Sequence, residues 1–222
     1  ADHSHDDRVI RVSSSKKITN IGWSVFANKG FLSEYRRGKQ VASLDLRKCT
    51  ALQGSHNHQN ACAAYAAVRS LGLGPRSIEK ALESFNGLSH RSQLVTEIGG
   101  VVFINDSKAT NVDSAMKALA TFSKVRWICG GEQKEEDISR LNNALTNVKK
   151  AYVIGANTEK FSSQISCEFE NCNTMDIAVQ KAFRDAQAGE TVLLAPAAAS
   201  FDQYGSFEER GQAFEHEIKK LV

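Results

Sequence analysis

Short apolar segments alternate with helix-like segments from about residue 76 to the end of the chain. The segments of strand length lie at residues 101–104, 125–129, 151–154, 165–169 and 192–195. Uninterrupted apolar runs are typical of parallel strands that are covered on both faces. Strands separated by helices imply parallel pairing with right-handed crossovers. The pattern therefore predicts a doubly wound α/β domain with a mostly parallel sheet over residues 76–222.

Apolar residues recur at helical spacing between these strands. One predicted helix carries Val112, Ala115, Met116, Leu119 and Phe122, and the next carries Ile138, Leu141, Leu145 and Val148. The last helix begins at the capping-box pattern Ser206-x-x-Glu209. Residues 92–97 read as a bridging segment before the first strand of the sheet.

The N-terminal part has a different pattern. Turn signals separate candidate strands at residues 9–12, 21–26, 31–35 and 40–46, which predicts a small antiparallel meander. The meander is too small to form a hydrophobic core of its own, so we expect it to pack on another part of the protein. A helix is predicted to open at residues 54–57, and Pro75 with its neighbouring glycines marks a domain boundary. The predicted domains are therefore residues 1–75 and 76–222.

Composition excludes several classes of protein. No run approaches the roughly 20 apolar residues of a membrane span, and the formal net charge of +3 comes from scattered Lys and Arg, not from a basic stripe. We therefore expect no membrane and no nucleic-acid partner. The five cysteines contain no C-x-x-C pair and are predicted to be reduced thiols of a cytoplasmic protein. His3 and His5 could bind a metal, but a ragged N-terminus is the preferred interpretation.

Polar residues follow the predicted strands where a doubly wound sheet binds its ligands, beyond the carboxyl ends. The segments are residues 105–110, 130–134, 155–156 and 196–202. Lys108 and Lys134 would face one rim, and two ammonium groups beside helix N-termini form an anion site. Asn111 is predicted to cap the next helix, which leaves Lys108 and Thr110 free to face a ligand. These residues alone predict a site for a small anionic ligand of unknown identity.

Other common sites are absent from the sequence. It contains no G-x-x-x-x-G-K-[ST] loop, no G-x-G-x-x-G after a strand and no G-x-S-x-G. It also lacks paired His and carboxylate residues at metal spacing. No complete phosphate loop, nucleophile elbow or metal site is therefore predicted.

Five motifs occur in a characteristic order between residues 54 and 211. They are GSHNHQNACAA, GLSHR, INDSKATN, GGEQK and APAAASFDQYGSFEERG. This ordered set resembles the Mur ligases of peptidoglycan synthesis, and the resemblance runs from about residue 46 to the C-terminus. It implies that residues 76–222 are a Rossmann-like C-terminal ligase domain and that residues 1–75 are the end of a central ATPase domain.

The resemblance also implies a reaction. ATP, with Mg²⁺, would activate the carboxylate of UDP-N-acetylmuramoyl-L-alanine as an acyl phosphate, and the amine of D-glutamate would then attack. The family's phosphate loop, metal-binding glutamate and carbamylated lysine belong to a region upstream of this sequence. The resemblance therefore implies that this chain alone is inactive and holds no Mg²⁺ ligands, and we expect a monomer.

Site residues follow from the resemblance, position by position. The residues implied for ATP are Asn57, Asn60, Arg91 and Asp106. The residues implied for D-glutamate are Lys108, Thr110, Lys134, Ser200, the backbone at Phe201, and Phe207. His90 either contacts nucleotide or substrate or is a structural histidine. Two other functions stay open: another Mur or folylpolyglutamate-type amide ligase, and a non-catalytic ligand-binding module.

Overall fold

The computed structural model describes residues 9–20 and 22–222, and these divide into two compact units, Ala1–Asn86 and Gly87–Val222. The N-terminal histidines His3 and His5 lie outside the described residues. Ile21, where a predicted strand was to begin, lies outside them as well.

The first unit contains a four-stranded sheet in the order β1-β2-β3-β4. The strands are β1 (Ile10–Ser13), β2 (Trp23–Asn28), β3 (Phe31–Arg36) and β4 (Lys39–Asp45). The three strands β2, β3 and β4 pair antiparallel, but β1 pairs parallel to β2. The prediction of a wholly antiparallel meander was therefore wrong for β1, because its connection to β2 is not a tight hairpin turn of the kind that joins neighbouring antiparallel strands.

Two helices cover this sheet: α1 (Ser55–Ser70) and α2 (Pro75–Glu83). Val25 and Leu32 from the strands share one core with Tyr65 of α1 and Ile78 of α2. The meander thus packs on its own following helices. Because Ile78 joins this core, α2 belongs to the first unit, and the two units divide after Asn86, not at Pro75.

The second unit is built on a six-stranded sheet in the order β5-β6-β10-β7-β8-β9. Its strands are β5 (Gln93–Ile98), β6 (Val101–Asn105), β7 (Val125–Gly130), β8 (Val148–Ile154), β9 (Phe169–Asn173) and β10 (Thr191–Leu194). Only β5 pairs antiparallel to its neighbour among these strands. The predicted doubly wound, mostly parallel sheet is confirmed.

Helical segments lie on both faces of this sheet. They are α3 (Val112–Thr121), α4 (Thr158–Ser162), α5 (Met175–Asp185) and α6 (Phe207–Lys219). Consecutive strand residues point to opposite faces. Trp127 therefore enters the core under α3 and α4, whereas Ile128 enters the core under α5 and α6.

Three predicted elements differ from the structure. Residues 92–97 were predicted to be a bridge, but Gln93–Ile98 forms the edge strand β5. The strand predicted at residues 165–169 lies at Phe169–Asn173, because the amide of Ile165 donates to Ser162 in the turn that ends α4. The helix predicted from Ile138 to Val148 is a 3-10 helix over Ser139–Asn147.

Candidate functional site

Three loops lie side by side at the carboxyl edge of the second sheet. They follow β6, β10 and β7, which are neighbours in the sheet. The sequence-predicted D-glutamate residues Lys108 and Thr110 lie on the β6 loop, Lys134 on the β7 loop, and Ser200 on the β10 loop. Strand order therefore brings to one edge residues that are up to 92 positions apart in the sequence (200 − 108 = 92).

Backbone hydrogen bonds join the β10 loop to both neighbours. On one side, the Ala197 amide donates to the Ala109 carbonyl at 2.8 Å. On the other side, the Glu132 amide donates to Ala199 at 3.0 Å, and the Ala199 amide donates back at 2.9 Å. Ala197 has a φ of 58°, a left-handed conformation that is rare for alanine and often found at functional sites. Hydrogen bonds therefore join the loops after β6, β7 and β10 into one surface, which we call the rim.

Asp106 begins the β6 loop and faces the Arg91 segment. Its Oδ1 accepts a hydrogen bond from the Ser92 amide at 3.2 Å. Burial raises the pKa of the Asp106 carboxyl to about 6, although the Ser92 hydrogen bonds and the charge of Arg91 act in the opposite direction. The structure therefore places two of the sequence-predicted ATP residues, Arg91 and Asp106, beside each other.

Arg91 is presented by a strained turn. The residues on either side of it, His90 and Ser92, have φ values of 61° and 45°. The Arg91 side chain itself is exposed. Two left-handed residues that are not glycine, one on each side of Arg91, cost conformational energy, and such strain concentrates at ligand-binding loops. The turn therefore directs an unburied guanidinium away from the core at the position predicted for phosphate contact.

Two of the predicted D-glutamate residues, Lys108 and Phe207, are in contact through their side chains. The Lys108 Nζ lies 3.8 Å from the centroid of the Phe207 ring. Such a cation–π contact is worth about 0.5–2 kcal/mol and holds the ammonium in one place. As predicted, Asn111 caps α3, with its Oδ1 accepting from the Ser114 amide at 2.9 Å. Lys108 is thus oriented before any ligand arrives.

The remaining predicted pocket residues differ in exposure. Ser200 is buried, and its carbonyl accepts from the amides of Gln203 and Tyr204, so its backbone position is fixed. Lys134 is exposed, Thr110 is half-buried, and Phe201 is 65% exposed. Phe201 and Lys134 are therefore open to solvent, whereas Ser200 is enclosed.

His90, which begins the turn that carries Arg91, lies in a buried polar cluster. The Asn105 Nδ2 lies 2.9 Å from the His90 Nδ1 and also donates to the Gly211 carbonyl and the Glu215 carboxylate. The His90 carbonyl accepts from the Lys108 amide at 3.1 Å. His90 therefore ties the Arg91 turn to the Lys108 loop, which matches the structural alternative for this residue.

Asn57 and Asn60 lie on α1, in the first unit. They are three residues apart and so share one side of the helix. The Asn57 Nδ2 donates to the Gln53 carbonyl at 2.9 Å, and Asn60 is exposed. Asn57 is therefore partly engaged in holding the start of its own helix.

Ser107 and Arg210 are site-forming residues that sequence reasoning missed. Both are buried, and the Arg210 Nε donates to the Ser107 Oγ at 3.1 Å. The Ser107 Oγ in turn donates to the Phe207 carbonyl at 2.7 Å. A signal was available for Arg210, since it lies three residues after Phe207 and four before Phe214, on the buried side of α6.

Residues 9–20 and 22–222 contain no group of three or more His, Cys, Asp or Glu side chains that could hold a metal ion. None of the helices in the same ranges is long and apolar enough to cross a membrane.

Known proteins share both the sequence and the fold. A family profile described as "Mur ligase, glutamate ligase domain" matches residues 90–198. UDP-N-acetylmuramoylalanine–D-glutamate ligases of Ruegeria pomeroyi and Roseobacter denitrificans are each 60% identical over 217 residues, 98% of this chain. The match covers 47% of each relative, so the chain spans about half the length of the curated relatives it matches.

Solved structures support the fold. The UDP-N-acetylmuramate-alanine ligase MurC of Thermotoga maritima has a TM-score of 0.63 at 17% identity, covering 92% of this chain and 47% of that one. The E. coli FolC structure has a TM-score of 0.61 at 23% identity, covering 90% of this chain and 47% of that one. The family profile, the high identity over nearly the whole chain and the shared fold agree. The chain therefore belongs to the Mur ligase family and carries its glutamate ligase domain.

Proposed function

We propose that this chain is the D-glutamate-binding and part of the nucleotide-binding half of an ATP-dependent ligase. The ligase joins D-glutamate to UDP-N-acetylmuramoyl-L-alanine in peptidoglycan synthesis. The observation that carries the proposal is the rim of the second sheet, where three adjacent loops present Lys108, Lys134 and Ser200. Relatives with 60% identity carry the name of this ligase, which supports the same substrates here.

D-glutamate has two carboxylates and one amine that must stay free to react. In the proposal, the Lys108 and Lys134 ammonium groups bind the carboxylates as charge-assisted hydrogen bonds. Lys108 is held against Phe207, so it loses little freedom when the ligand binds. Thr110 and Ser200 supply hydroxyls that orient the amino acid, and the backbone at Phe201 completes the site.

ATP occupies the neighbouring side of the β6 loop in this proposal. Asp106 accepts hydrogen bonds from the ribose hydroxyls, and Arg91 pairs with phosphate oxygens. The hydrogen bond from the Ser92 amide to Asp106 supports this assignment, because it holds the neighbouring Arg91 close to Asp106.

The chain's own part in the reaction is to bind and orient. An amide ligase must place the D-glutamate amine in line with the activated carboxyl carbon, and positioning of this kind supplies much of the rate enhancement. In the Mur ligases that this chain resembles, the phosphate loop and the metal-binding glutamate lie upstream of the five matched motifs. We therefore assign Mg²⁺ and the catalytic phosphate-binding groups to the half of the relatives' length that this chain does not span. The isolated chain is then a weak binding module without ligase activity.

Isothermal titration of D-glutamate into the whole chain tests the binding proposal, with L-glutamate as the stereochemical control. We expect saturable binding of D-glutamate, even at millimolar strength, and at least tenfold weaker binding of L-glutamate. Lys108→Ala should abolish binding, whereas Lys117→Ala is the matched control. Lys117 is an exposed lysine on α3, so its loss changes net charge equally but leaves the rim intact.

The outcomes separate the competing functions. Preference for L-glutamate would contradict the proposal and favour a folylpolyglutamate-type ligase. Equal loss of binding in Lys108→Ala and Lys117→Ala would mean that net charge, not the rim, holds the ligand. An ATPase assay of the isolated chain should give no turnover above the no-enzyme blank, and measurable hydrolysis would refute its inactivity.

A further inference from the structure

Arg210 is the most deeply buried charged side chain at the carboxyl edge of the second sheet, with 1% of its surface exposed. All three of its nitrogens donate hydrogen bonds. Nε donates to the Ser107 Oγ at 3.1 Å, and Nη2 donates to the Ser107 carbonyl at 2.9 Å. Nη1 donates to the carbonyls of Ala198 and Ala199, both at 3.1 Å.

These acceptors belong to two different loops of the rim. Ser107 immediately precedes Lys108, and Ala199 immediately precedes Ser200. The Ala199 carbonyl also accepts from the Glu132 amide, so the loop that carries Lys134 is bonded to the same atom. One guanidinium therefore links, directly or through one further hydrogen bond, the three loops that carry the proposed lysine and hydroxyl contacts to D-glutamate.

The acceptors of Arg210 are all neutral. They are the Ser107 hydroxyl and the backbone carbonyls of Ser107, Ala198 and Ala199, and none of them is a carboxylate. Asp202, which acts on Arg210 over a longer distance, accepts instead from the Ala156 amide. Burial lowers the pKa of Arg210 to about 10, so the side chain still carries its charge at neutral pH. A buried, unpaired cation is costly, and its charge adds to the positive potential of the rim above it.

No other side chain could make the same set of bonds. Lysine has a single nitrogen and could not reach the two loops from opposite sides, whereas the planar guanidinium donates in several fixed directions. Space is limited as well, because a Cβ added at Gly131 would lie 3.2 Å from the Arg210 Nη1. The position is therefore fitted to arginine.

We infer that Arg210 is a positioning residue for the amino-acid substrate, which sets the spacing between the Lys108 and Ser200 loops and adds positive charge beneath them. This inference rests on the proposed function, since it assumes that these loops bind a dicarboxylic amino acid. Arg210 itself contacts no ligand in this scheme.

The test compares Arg210→Lys with Arg126→Lys in the whole chain. Arg126 is a half-buried arginine of the second unit, and it pairs with Glu190 away from the rim. Two quantities are measured: the Kd for D-glutamate by titration, and amide hydrogen exchange of residues 106–110 and 195–201 without ligand. We expect Arg210→Lys to weaken binding at least tenfold and to speed exchange in both loops. Arg126→Lys should lower the thermal midpoint while leaving the Kd within twofold.

Ser107→Ala provides a second, milder variant in case Arg210→Lys does not fold. It removes one acceptor of Arg210 and the donor to the Phe207 carbonyl, so D-glutamate binding should weaken severalfold. Unchanged binding and unchanged loop exchange in a folded Arg210→Lys chain would overturn the inference. If Arg210→Lys loosens both loops but the wild-type chain binds no D-glutamate, the positioning role stands and the proposed function fails.

Discussion

At the scale of single residues, Asp106 makes stability depend on pH. Its pKa is about 6 in the folded chain and about 3.8 when exposed. The folded state therefore holds the proton more tightly, so stability falls as pH rises from about 4 to 6. Above that window the desolvated carboxylate costs on the order of 1–3 kcal/mol. In the proposed function, this carboxylate is the group that accepts hydrogen bonds from the ribose.

Asp106→Asn should consequently stabilise the chain at high pH. We expect the free energy of unfolding to rise by about 1–3 kcal/mol at pH 8 and to change little at pH 4. Urea unfolding of both chains at pH 4, 6 and 8 measures this difference. A gain that is the same at all three pH values would show that burial of the charge is not its cause. The variant should also lose nucleotide affinity.

Gly211 is a second residue whose identity the site requires. A Cβ at this position would lie 2.2 Å from the His90 Nδ1. Alanine normally stabilises a helix interior by about 1 kcal/mol relative to glycine. Here the clash with a buried ring outweighs that gain, and we expect Gly211→Ala to destabilise the chain by about 1–3 kcal/mol.

The control for this prediction is Gly74→Ala. Gly74 has a φ of −73° and no atom within 4 Å of an added Cβ, so its replacement should be nearly neutral. Chemical denaturation of the two variants measures the contrast. Equal stability of both variants would mean that His90 moves aside without cost, and the Lys108 loop that it holds would then be expected to move with it.

At the scale of secondary-structure elements, the cap of α3 fixes where the β6 loop ends. Asn111→Ala removes the acceptor for the Ser114 amide, and we expect a loss of about 1 kcal/mol. Asn111→Asp keeps the acceptor and should stay within about 0.5 kcal/mol of the parent. Thermal unfolding of the two variants checks this, and a similar loss in both would contradict the capping role.

Local patterns predicted some elements and missed others for clear reasons. The Asn111 cap and the Ser206 capping box were predicted because a few adjacent residues decide them. The edge strands were predicted poorly: β5 was taken for a bridging segment, and β9 was placed a few residues too early. Each edge strand has a neighbour on only one side and carries polar residues in place of an apolar run. The parallel pairing of β1 depends on residues far apart in sequence, which local patterns do not encode.

The sequence likewise predicted some residues of the candidate site and missed others. Lys108, Lys134 and the polar strand ends were visible because parallel strands place such residues at one edge. Their assignment to D-glutamate came from the family resemblance and not from spacing. Arg210 was missed because its role depends on carbonyl groups of Ala198 and Ala199, and carbonyl groups are the same in every sequence.

At the scale of the whole molecule, each unit carries one of the two tryptophans. Trp127 is fully buried in the second unit, and Trp23 lies in the first unit with the Arg36 guanidinium 3.8 Å from its ring. D-glutamate at 100 times its Kd should stabilise the unit that binds it by about 2.7 kcal/mol. We therefore expect the unfolding midpoint of a Trp23→Phe chain, read by Trp127 fluorescence, to rise with D-glutamate.

The Trp127→Phe chain is the internal reference, because its remaining Trp23 reports on the first unit. Its midpoint should stay constant as D-glutamate is added. A rise in both chains would show that the two units unfold together, and a rise in neither would contradict binding to the second unit.

The central position of β10 has a consequence for synthesis. This strand lies between β6 and β7 but is made long after both, at Thr191–Leu194. On the ribosome, β6 and β7 have no common partner until about residue 194 has emerged, and Arg210 follows later still. The glutamate ligase domain is therefore completed from its middle, and a nascent chain that stops before residue 191 carries two unpaired inner edges that are open to aggregation.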